Sequence, residues 1–204
     1  MASSPAVIVL AAGKGARFEG MQHKLEQSLN GSTVLGTTLR QVIASHLKVI
    51  VVTTAALAVV ARTQVAARDV VVLPEVGTPG FEALGMGYSI SAGVSARPDA
   101  TGWLVLPGDM PLVQPGPLLA VARQLAHHAV VYAQCKGRRG HPVGFSAELY
   151  SELVALQGDE GARRLVARYP AFGVEVDDPG VLVDVDTQAG LEAVRRLLAK
   201  SRAH

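Results

Sequence analysis

Short, nearly continuous runs of Val, Ile, Leu and Ala recur along the chain and alternate with longer stretches in which apolar residues return every three or four positions. The runs are typical of strands covered on both faces, and the stretches are typical of amphipathic helices. Five strands are predicted, at Ala6–Leu10, Lys48–Thr53, Asp69–Leu73, Trp103–Leu106 and Ala129–Ala133. Four helices are predicted between them, at Val34–Ser45, Ala55–Ala66, Gly85–Ala96 and Gln114–Ala126. This order predicts a three-layer α/β fold, with a mostly parallel, Rossmann-like central sheet and helices on both faces.

The pattern is less regular beyond residue 133. It predicts a turn at Gly137–Gly140, a short strand at His141–Phe145, and helices at Ala147–Leu156 and Gly158–Arg168. A last pair of strands and a C-terminal helix are predicted after these. Thr187 is expected to cap that helix, because a side-chain oxygen at this position accepts from a free backbone N–H.

Composition narrows the classes of function. Aromatic residues are 4% of the 204 residues, too few for a stacking surface that binds single-stranded nucleic acid. The net charge is +2 with basic residues in small scattered groups, so neither nucleic acid nor a membrane is expected as a partner. The apolar run Ala6–Ala12 is too short to span a membrane, and the single Cys135 cannot form an intramolecular disulfide. We therefore expect one cytoplasmic domain over residues 1–204.

The first predicted strand runs directly into a small, glycine-rich segment. Ligands of open α/β sheets bind where the strands end, and glycines there let backbone N–H groups approach phosphate oxygens. The segment Gly13–Arg17 therefore predicts a loop that binds a polyphosphate, with positive charge from Lys14, Arg17 and Lys24. It matches neither the Walker pattern nor the three-glycine dinucleotide loop, because Phe18 stands where both patterns need a glycine.

Three carboxylates are candidate ligands for a divalent cation. Asp109 follows the predicted strand Trp103–Leu106, which puts it at the same edge of the sheet as the glycine segment. A carboxylate there repels phosphates unless a cation lies between them, and Mg²⁺ commonly takes one or two carboxylates together with phosphate oxygens. Asp184 and Asp186 stand two residues apart, so in an extended segment both face one cleft. The alternative for Asp109 and Asp186 is that each caps the helix that follows it.

An ordered set of motifs makes the chain similar to a known family. The first is Leu10–Phe18 with Lys24 and Leu25 after it. The others are, in order, Gly85–Gly93, Leu106–Pro111, Gly140–Val143, Gly158–Arg163 and Asp184–Thr187. They resemble the MobA-like NTP transferases, which include the molybdenum-cofactor guanylyl- and cytidylyltransferases, and they cover nearly the whole chain.

The motifs with Gly-His-Pro and Gly-Asp-x-Gly-Ala-Arg are most similar to the cytidylyl branch. Two departures from the family pattern lie near the glycine segment. Glu26 stands where the family usually has a leucine- and proline-containing stretch, and one residue is inserted at Glu19.

The resemblance implies a fold like that of the nucleotide-diphospho-sugar transferases and a Mg²⁺-dependent nucleotidyltransferase. The implied reaction transfers CMP from CTP to the terminal phosphate of molybdopterin and releases pyrophosphate. Residues 1–112 would form the nucleotide-binding half and residues 113–204 the acceptor-binding half. A molybdenum hydroxylase or its chaperone would be the partner protein.

The resemblance also implies roles for single residues. Arg17 would hold the β and γ phosphates, Lys24 the α phosphate, and Asp109 the Mg²⁺, with Asp186 favoured over Asp184 as the second ligand. The nucleotide would contact Leu10, Ala11, Ala12, Gly13, Lys14 and Gly15, in addition to Arg17, Lys24 and Asp109. The acceptor pocket would contain Gly140, His141 and Pro142.

Three alternatives stay open. The first is a GTP-using guanylyltransferase of the same family. The second is an NAD(P)H-dependent oxidoreductase relative, against which the missing third glycine and the missing ribose-binding carboxylate count. The third is a nucleotide-binding chaperone that delivers the cofactor without turnover.

Overall fold

The computed structural model describes residues 4–13, 18, 23–74, 85–159 and 161–201. Its strands are β1 Ala6–Ala11, β2 Ser28–Leu29, β3 Ser32–Thr33, β4 Lys48–Thr54, β5 Val70–Leu73, β6 Gly102–Pro107, β7 Val130–Cys135, β8 Arg138–Ser146 and β9 Ala171–Glu175. Its α-helices are α1 Val34–Ala44, α2 Ala55–Arg62, α3 Met86–Ser95, α4 Pro115–Gln124, α5 Tyr150–Val154, α6 Arg163–Arg168 and α7 Gln188–Ser201. Short 3₁₀ turns occur at Lys24–Glu26, Ala67–Asp69, Ala147–Leu149 and Pro179–Leu182.

Seven of these strands form one sheet, in the order β5-β4-β1-β6-β8-β7-β9. β1 lies between β4 and β6 and runs parallel to both, and β9 runs parallel to β7. β8 is antiparallel to its two neighbours, β6 and β7. The predicted mostly parallel sheet is therefore confirmed, with β8 as the reversed strand.

Helices cover both faces of the sheet, as the continuous apolar strands require. Along β1, Val7 and Val9 pack into one core with residues of α1, α2, α4 and α7, whereas Ala6 and Ile8 pack into a second core with residues of α3, α5 and α6. Alternate residues of a strand point to opposite faces, so a strand buried on both sides needs apolar residues throughout. No helix in the described part of the chain is long and apolar enough to cross a membrane.

The turn predicted at Gly137–Gly140 is shorter than expected. β7 and β8 are joined by Lys136 and Gly137 alone, and both have positive φ, 52° and 71°. Two adjacent residues with positive φ are typical of the tight turn in a two-residue hairpin. β8 therefore begins at Arg138 and brings the Gly-His-Pro motif into the sheet.

Two predicted helices are also shorter than the pattern indicated. The segment from residue 158 becomes helical only at Arg163, because Gly158 and Gly161 have positive φ, 64° and 56°, which an α-helix cannot accommodate. The segment predicted at Ala147–Leu156 begins as a 3₁₀ turn and continues as the five-residue α5.

The prediction of a last strand pair is wrong in its second member. β9 forms, but the next apolar segment is the 3₁₀ turn Pro179–Leu182. Pro179 has no N–H to give a sheet, and the Asp178 carboxylate accepts from the Gly180 N–H at 2.8 Å, which starts the turn. The Val185 N–H is donated to the Asp109 carbonyl at 2.9 Å instead of to a strand.

Candidate active site

A cavity of about 840 Å³ opens at the edge where β1, β5 and β6 end. Open α/β sheets bind their ligands at this edge, because the loops that follow parallel strands meet there. Residues from both ends of the sequence line it, from Leu10 near the start to Asp186 near the end.

Backbone hydrogen bonds place Asp109 in this cavity. The Gly108 N–H donates to the Leu10 carbonyl at 2.8 Å, and the buried Thr38 hydroxyl donates to the Gly108 carbonyl at 2.9 Å. A side chain at position 108 would lie 3.0 Å from the Leu10 carbonyl oxygen, so the close approach favours glycine. The Asp109 carbonyl in turn accepts from Val185, which brings the segment that carries Asp186 to the same place.

Lys24 joins the two carboxylates. Its Nζ lies 2.5 Å from Oδ2 of Asp109 and 2.7 Å from Oδ1 of Asp186. The side chains of Lys24 and Asp109 are only 15% and 12% exposed, so water screens this cluster weakly. Burial alone would lower the pKa of Lys24, but the two carboxylates outweigh it, and the pKa lies above its ordinary value. The ammonium is therefore charged at neutral pH.

The two carboxylates fit a divalent cation whose remaining ligands come from outside the protein. Oδ1 of Asp109 is buried and has no hydrogen-bond partner among the described residues, which leaves a buried acceptor aimed at no protein donor. No group of three or more His, Cys, Asp or Glu side chains in the described part of the chain forms a complete cage for a metal. One or two carboxylates completed by phosphate oxygens and water is the donor set that Mg²⁺ prefers.

His23 was missed by the sequence prediction, and the structure gives it a bridging position. Its Nδ1 accepts from the Leu25 N–H at 3.2 Å, so Nε2 carries the proton and donates to the Gly13 carbonyl at 2.9 Å. The ring thus ties the glycine segment to the turn that carries Lys24. Its place directly before Lys24 was the available signal, but the bridge depends on a loop geometry that spacing does not show.

The Gly-His-Pro motif lines the cavity in part. Gly140 and His141 face the cavity, whereas Pro142 is buried in β8 and does not line it. Burial lowers the pKa of His141 against the pull of the charges on Asp109 and Asp184, so the imidazole is neutral at neutral pH.

The glycine segment is described in part. Leu10, Ala11, Ala12 and Gly13 line the cavity, in the place expected for nucleotide-binding residues. The predicted phosphate-binding residues Lys14, Gly15 and Arg17 lie outside the described residues. Asp184 lines the cavity as well as Asp186, but the contact with Lys24 is made by Asp186.

Part of the cavity is lined by two motifs that are far apart in the sequence. Met86 and Ser89, in the first turns of α3, line the cavity together with Asp159. The Gly87 N–H donates to the Gly158 carbonyl at 2.8 Å, and a side chain at Gly87 would lie 2.6 Å from the Gln157 carbonyl oxygen. The segment after Gly158 therefore contacts the start of α3, although the sequence assigned it to the other half of the chain.

The sequence pattern of the MobA-like NTP transferase domain matches residues 7–172. The chain belongs to this family. Its members are nucleotidyltransferases that bind nucleotide substrates, and the family predicted from the motif order is confirmed. A curated relative is the purine catabolism protein PucB of Bacillus subtilis strain 168, which is 30% identical over 208 residues, 94% of this chain and 96% of PucB.

Solved structures confirm the predicted fold. Rv0371c of Mycobacterium tuberculosis H37Rv is 27% identical, with a TM-score of 0.81 over 96% of this chain and 99% of that one. A complex of Rv0371c with manganese, 25% identical, has a TM-score of 0.73 over 95% and 99% of the two chains. The molybdopterin-guanine dinucleotide biosynthesis protein A of Archaeoglobus fulgidus is 17% identical, with a TM-score of 0.70 over 96% and 99%, which is a likeness of fold.

Proposed function

We propose that this MobA-like transferase moves CMP from CTP to the terminal phosphate of molybdopterin and releases pyrophosphate. The observation that carries the proposal is the cluster of Lys24, Asp109 and Asp186 at the edge of the sheet where the glycine segment begins. A cation site beside a phosphate-binding loop is what transfer between phosphates needs, because such enzymes act mainly by positioning and by neutralising charge.

In the proposed reaction an oxygen of the acceptor phosphate attacks the α phosphorus as the bond to pyrophosphate breaks. The backbone of Leu10–Gly13 holds the nucleotide, Arg17 holds its outer phosphates and Lys24 its α phosphate. Asp109 and Asp186 hold Mg²⁺, which when bound stabilises the charge that builds up on the phosphates. The neutral His141 helps to shape the acceptor end of the cavity and brings no extra charge to it.

The choice of CTP rests on the resemblance to the cytidylyl branch. The Gly158 segment, part of that resemblance, contacts the start of α3, which supports a link between this motif and the nucleotide. We expect CTP to be used at least about tenfold more efficiently than GTP, which needs about 1.4 kcal/mol of differential transition-state binding. Competition between the two nucleotides for transfer to molybdopterin tests this, and a preference for GTP would assign the chain to the guanylyl branch.

A melting-temperature panel separates the remaining alternatives. A ligand that binds only the folded state raises the melting temperature according to its concentration relative to its Kd. We expect CTP with Mg²⁺ to raise it more than GTP, ATP, UTP or NADPH. A rise with NADPH would favour the oxidoreductase alternative, and CTP binding without turnover would favour the chaperone.

PucB is named for purine catabolism, which fits a partner molybdenum hydroxylase that acts on purines.

A further inference from the structure

The ammonium of Lys24 lies between the two carboxylates that we assign to the divalent cation. Nζ is 2.5 Å from one oxygen of Asp109 and 2.7 Å from one oxygen of Asp186. A Mg²⁺ ion bound to both carboxylates needs oxygens of the same pair at about 2.0–2.1 Å. The cation and the ammonium therefore require the same small volume and the same negative charge.

The two positive groups repel each other strongly in this position. The three side chains are 12–24% exposed, so little water screens the repulsion. The remaining oxygen of Asp109, Oδ1, is buried without a hydrogen-bond partner among the described residues, so the ammonium contacts only Oδ2 of this carboxylate. A cation can enter fully only if the ammonium moves away.

We propose that Lys24 and the divalent cation compete for the Asp109–Asp186 pair, and that nucleotide phosphates relieve the competition by drawing Lys24 to themselves. The inference rests on the proposed function and concerns how cation binding at that site is regulated. Lys24 begins the 3₁₀ turn Lys24–Glu26, and its flexible four-carbon stem lets the ammonium move while the backbone stays in place. Phosphate oxygens offer the ammonium an equivalent anionic partner in the same cavity.

The competition makes cation and nucleotide binding cooperative. A nucleotide that removes Lys24 from the carboxylates raises the affinity of the pair for the cation, and by linkage the cation raises the affinity for the nucleotide by the same factor. The cation alone, or the nucleotide alone, has to bind while Lys24 is still paired with both carboxylates. The site would thus hold the cation tightly only when there is a nucleotide to react with.

The test is a titration with Mn²⁺ alone, followed by the electron paramagnetic resonance signal of free Mn²⁺. Lys24→Met should bind Mn²⁺ about tenfold more tightly than the wild type, within the range usual for coupled sites. Lys48→Met is the matched control, because Lys48 pairs with Asp99 at the surface and should leave the affinity unchanged. Adding Asp109→Asn to Lys24→Met should remove the gain, which would show that the ion binds to this carboxylate pair.

A second titration with Mn²⁺ is done in the presence of CTP. The association of Mn²⁺ with CTP is measured separately without protein, so that it can be subtracted. CTP should raise the Mn²⁺ affinity of the wild type several-fold more than that of Lys24→Met. Equal Mn²⁺ affinity of wild type and Lys24→Met, or equal CTP enhancement, would overturn the proposal. Neither readout uses turnover. The competition can therefore be disproved while CMP transfer is confirmed, and CMP transfer can be disproved while the competition is confirmed.

Folding of the variant is controlled by melting temperature. Loss of Lys24 leaves two carboxylates facing each other at low exposure, so Lys24→Met should melt lower than wild type and recover more of its melting temperature with Mn²⁺. If Lys24→Met does not fold, Lys24→Gln replaces it, since the amide still donates to one carboxylate without the charge. An equal response of the folded variant and the wild type to Mn²⁺ would contradict the competition.

Discussion

The two carboxylate oxygens of Asp109 have different environments. Oδ2 accepts from the Lys24 ammonium, and Oδ1 is buried without a protein donor in the described part of the chain. Asp109→Asn keeps the shape but removes the charge, so we expect the fold to survive and nucleotidyl transfer to be nearly abolished. The loss of the cation's transition-state stabilisation should cost several kcal/mol, on the order of that supplied by metal ions elsewhere. Pyrophosphate release measures it, with Asp99→Asn, in an exposed ion pair, as the control. Turnover near the wild-type rate at saturating Mg²⁺ would show that Asp109 does not hold the cation.

Arg139 is a cation on the side of the cavity that we assign to the acceptor. Its guanidinium lies 3.9 Å from the ring centre of Tyr132 and pairs with no carboxylate among the described residues, so it is held in place and can still bind an anion. Arg139→Gln should raise the KM for the acceptor about tenfold or more and leave the KM for CTP unchanged, as expected for a lost charged hydrogen bond. Arg138→Gln is the neighbour control, because adjacent strand residues face opposite sides. A rise in the KM for CTP alone would place Arg139 at the nucleotide.

Single residues of the site differ in how well the sequence predicts them. Asp109 follows a buried strand, and this position identified it as a ligand candidate. The contact between Lys24 and Asp186 joins residues 162 positions apart, and such a pair is fixed only when the sheet order is known. The bridge made by His23 needs both ring nitrogens in a particular loop geometry, so residue type and spacing did not reveal it.

At the scale of elements, α3 depends on a close approach to the sheet. A side chain at Gly93 would lie 2.4 Å from Cγ2 of Ile8 and 2.9 Å from Cγ2 of Val52. Gly93→Ala should therefore lower the free energy of unfolding by about 1–3 kcal/mol, the usual cost of overpacking a core. Gly116→Ala, in the first turn of α4, meets no atom within 4 Å, so it adds no overpacking and should change the free energy of unfolding less. Urea unfolding of both variants measures the difference, and equal effects would mean that α3 shifts without cost.

The elements that the sequence predicted best are those whose signal is local. β1, β4 and β6 are continuous apolar runs, and burial on both faces requires that pattern. The segment Pro179–Leu182 has a similar apolar content but forms a turn, because Asp178 caps it and Val185 bonds to the Asp109 loop. The Gln114 N–H, just before α4, also donates to the Asp178 carboxylate at 2.9 Å. Gln114 and Asp109 are both far away in the sequence, and no window around residue 180 contains them.

At the scale of the whole molecule, the pH dependence of stability should reveal the effect of burying His141. Burial holds its pKa in the folded chain below the 6.5 of an ordinary histidine, so the unfolded chain takes up the proton first as the pH falls. Its contribution to stability is complete above about pH 6.5, decreases as the pH falls below that value, and levels off below the folded pKa. The slope for one proton is at most about 1.4 kcal/mol per pH unit. Urea unfolding between pH 5 and 8 should therefore give His141→Asn a flatter profile than the wild type, and NMR titration of the imidazole gives the folded pKa directly. Parallel profiles for the two proteins would show that the charges of Asp109 and Asp184 balance burial at this position, and a folded pKa above 6.5 would show that they outweigh it.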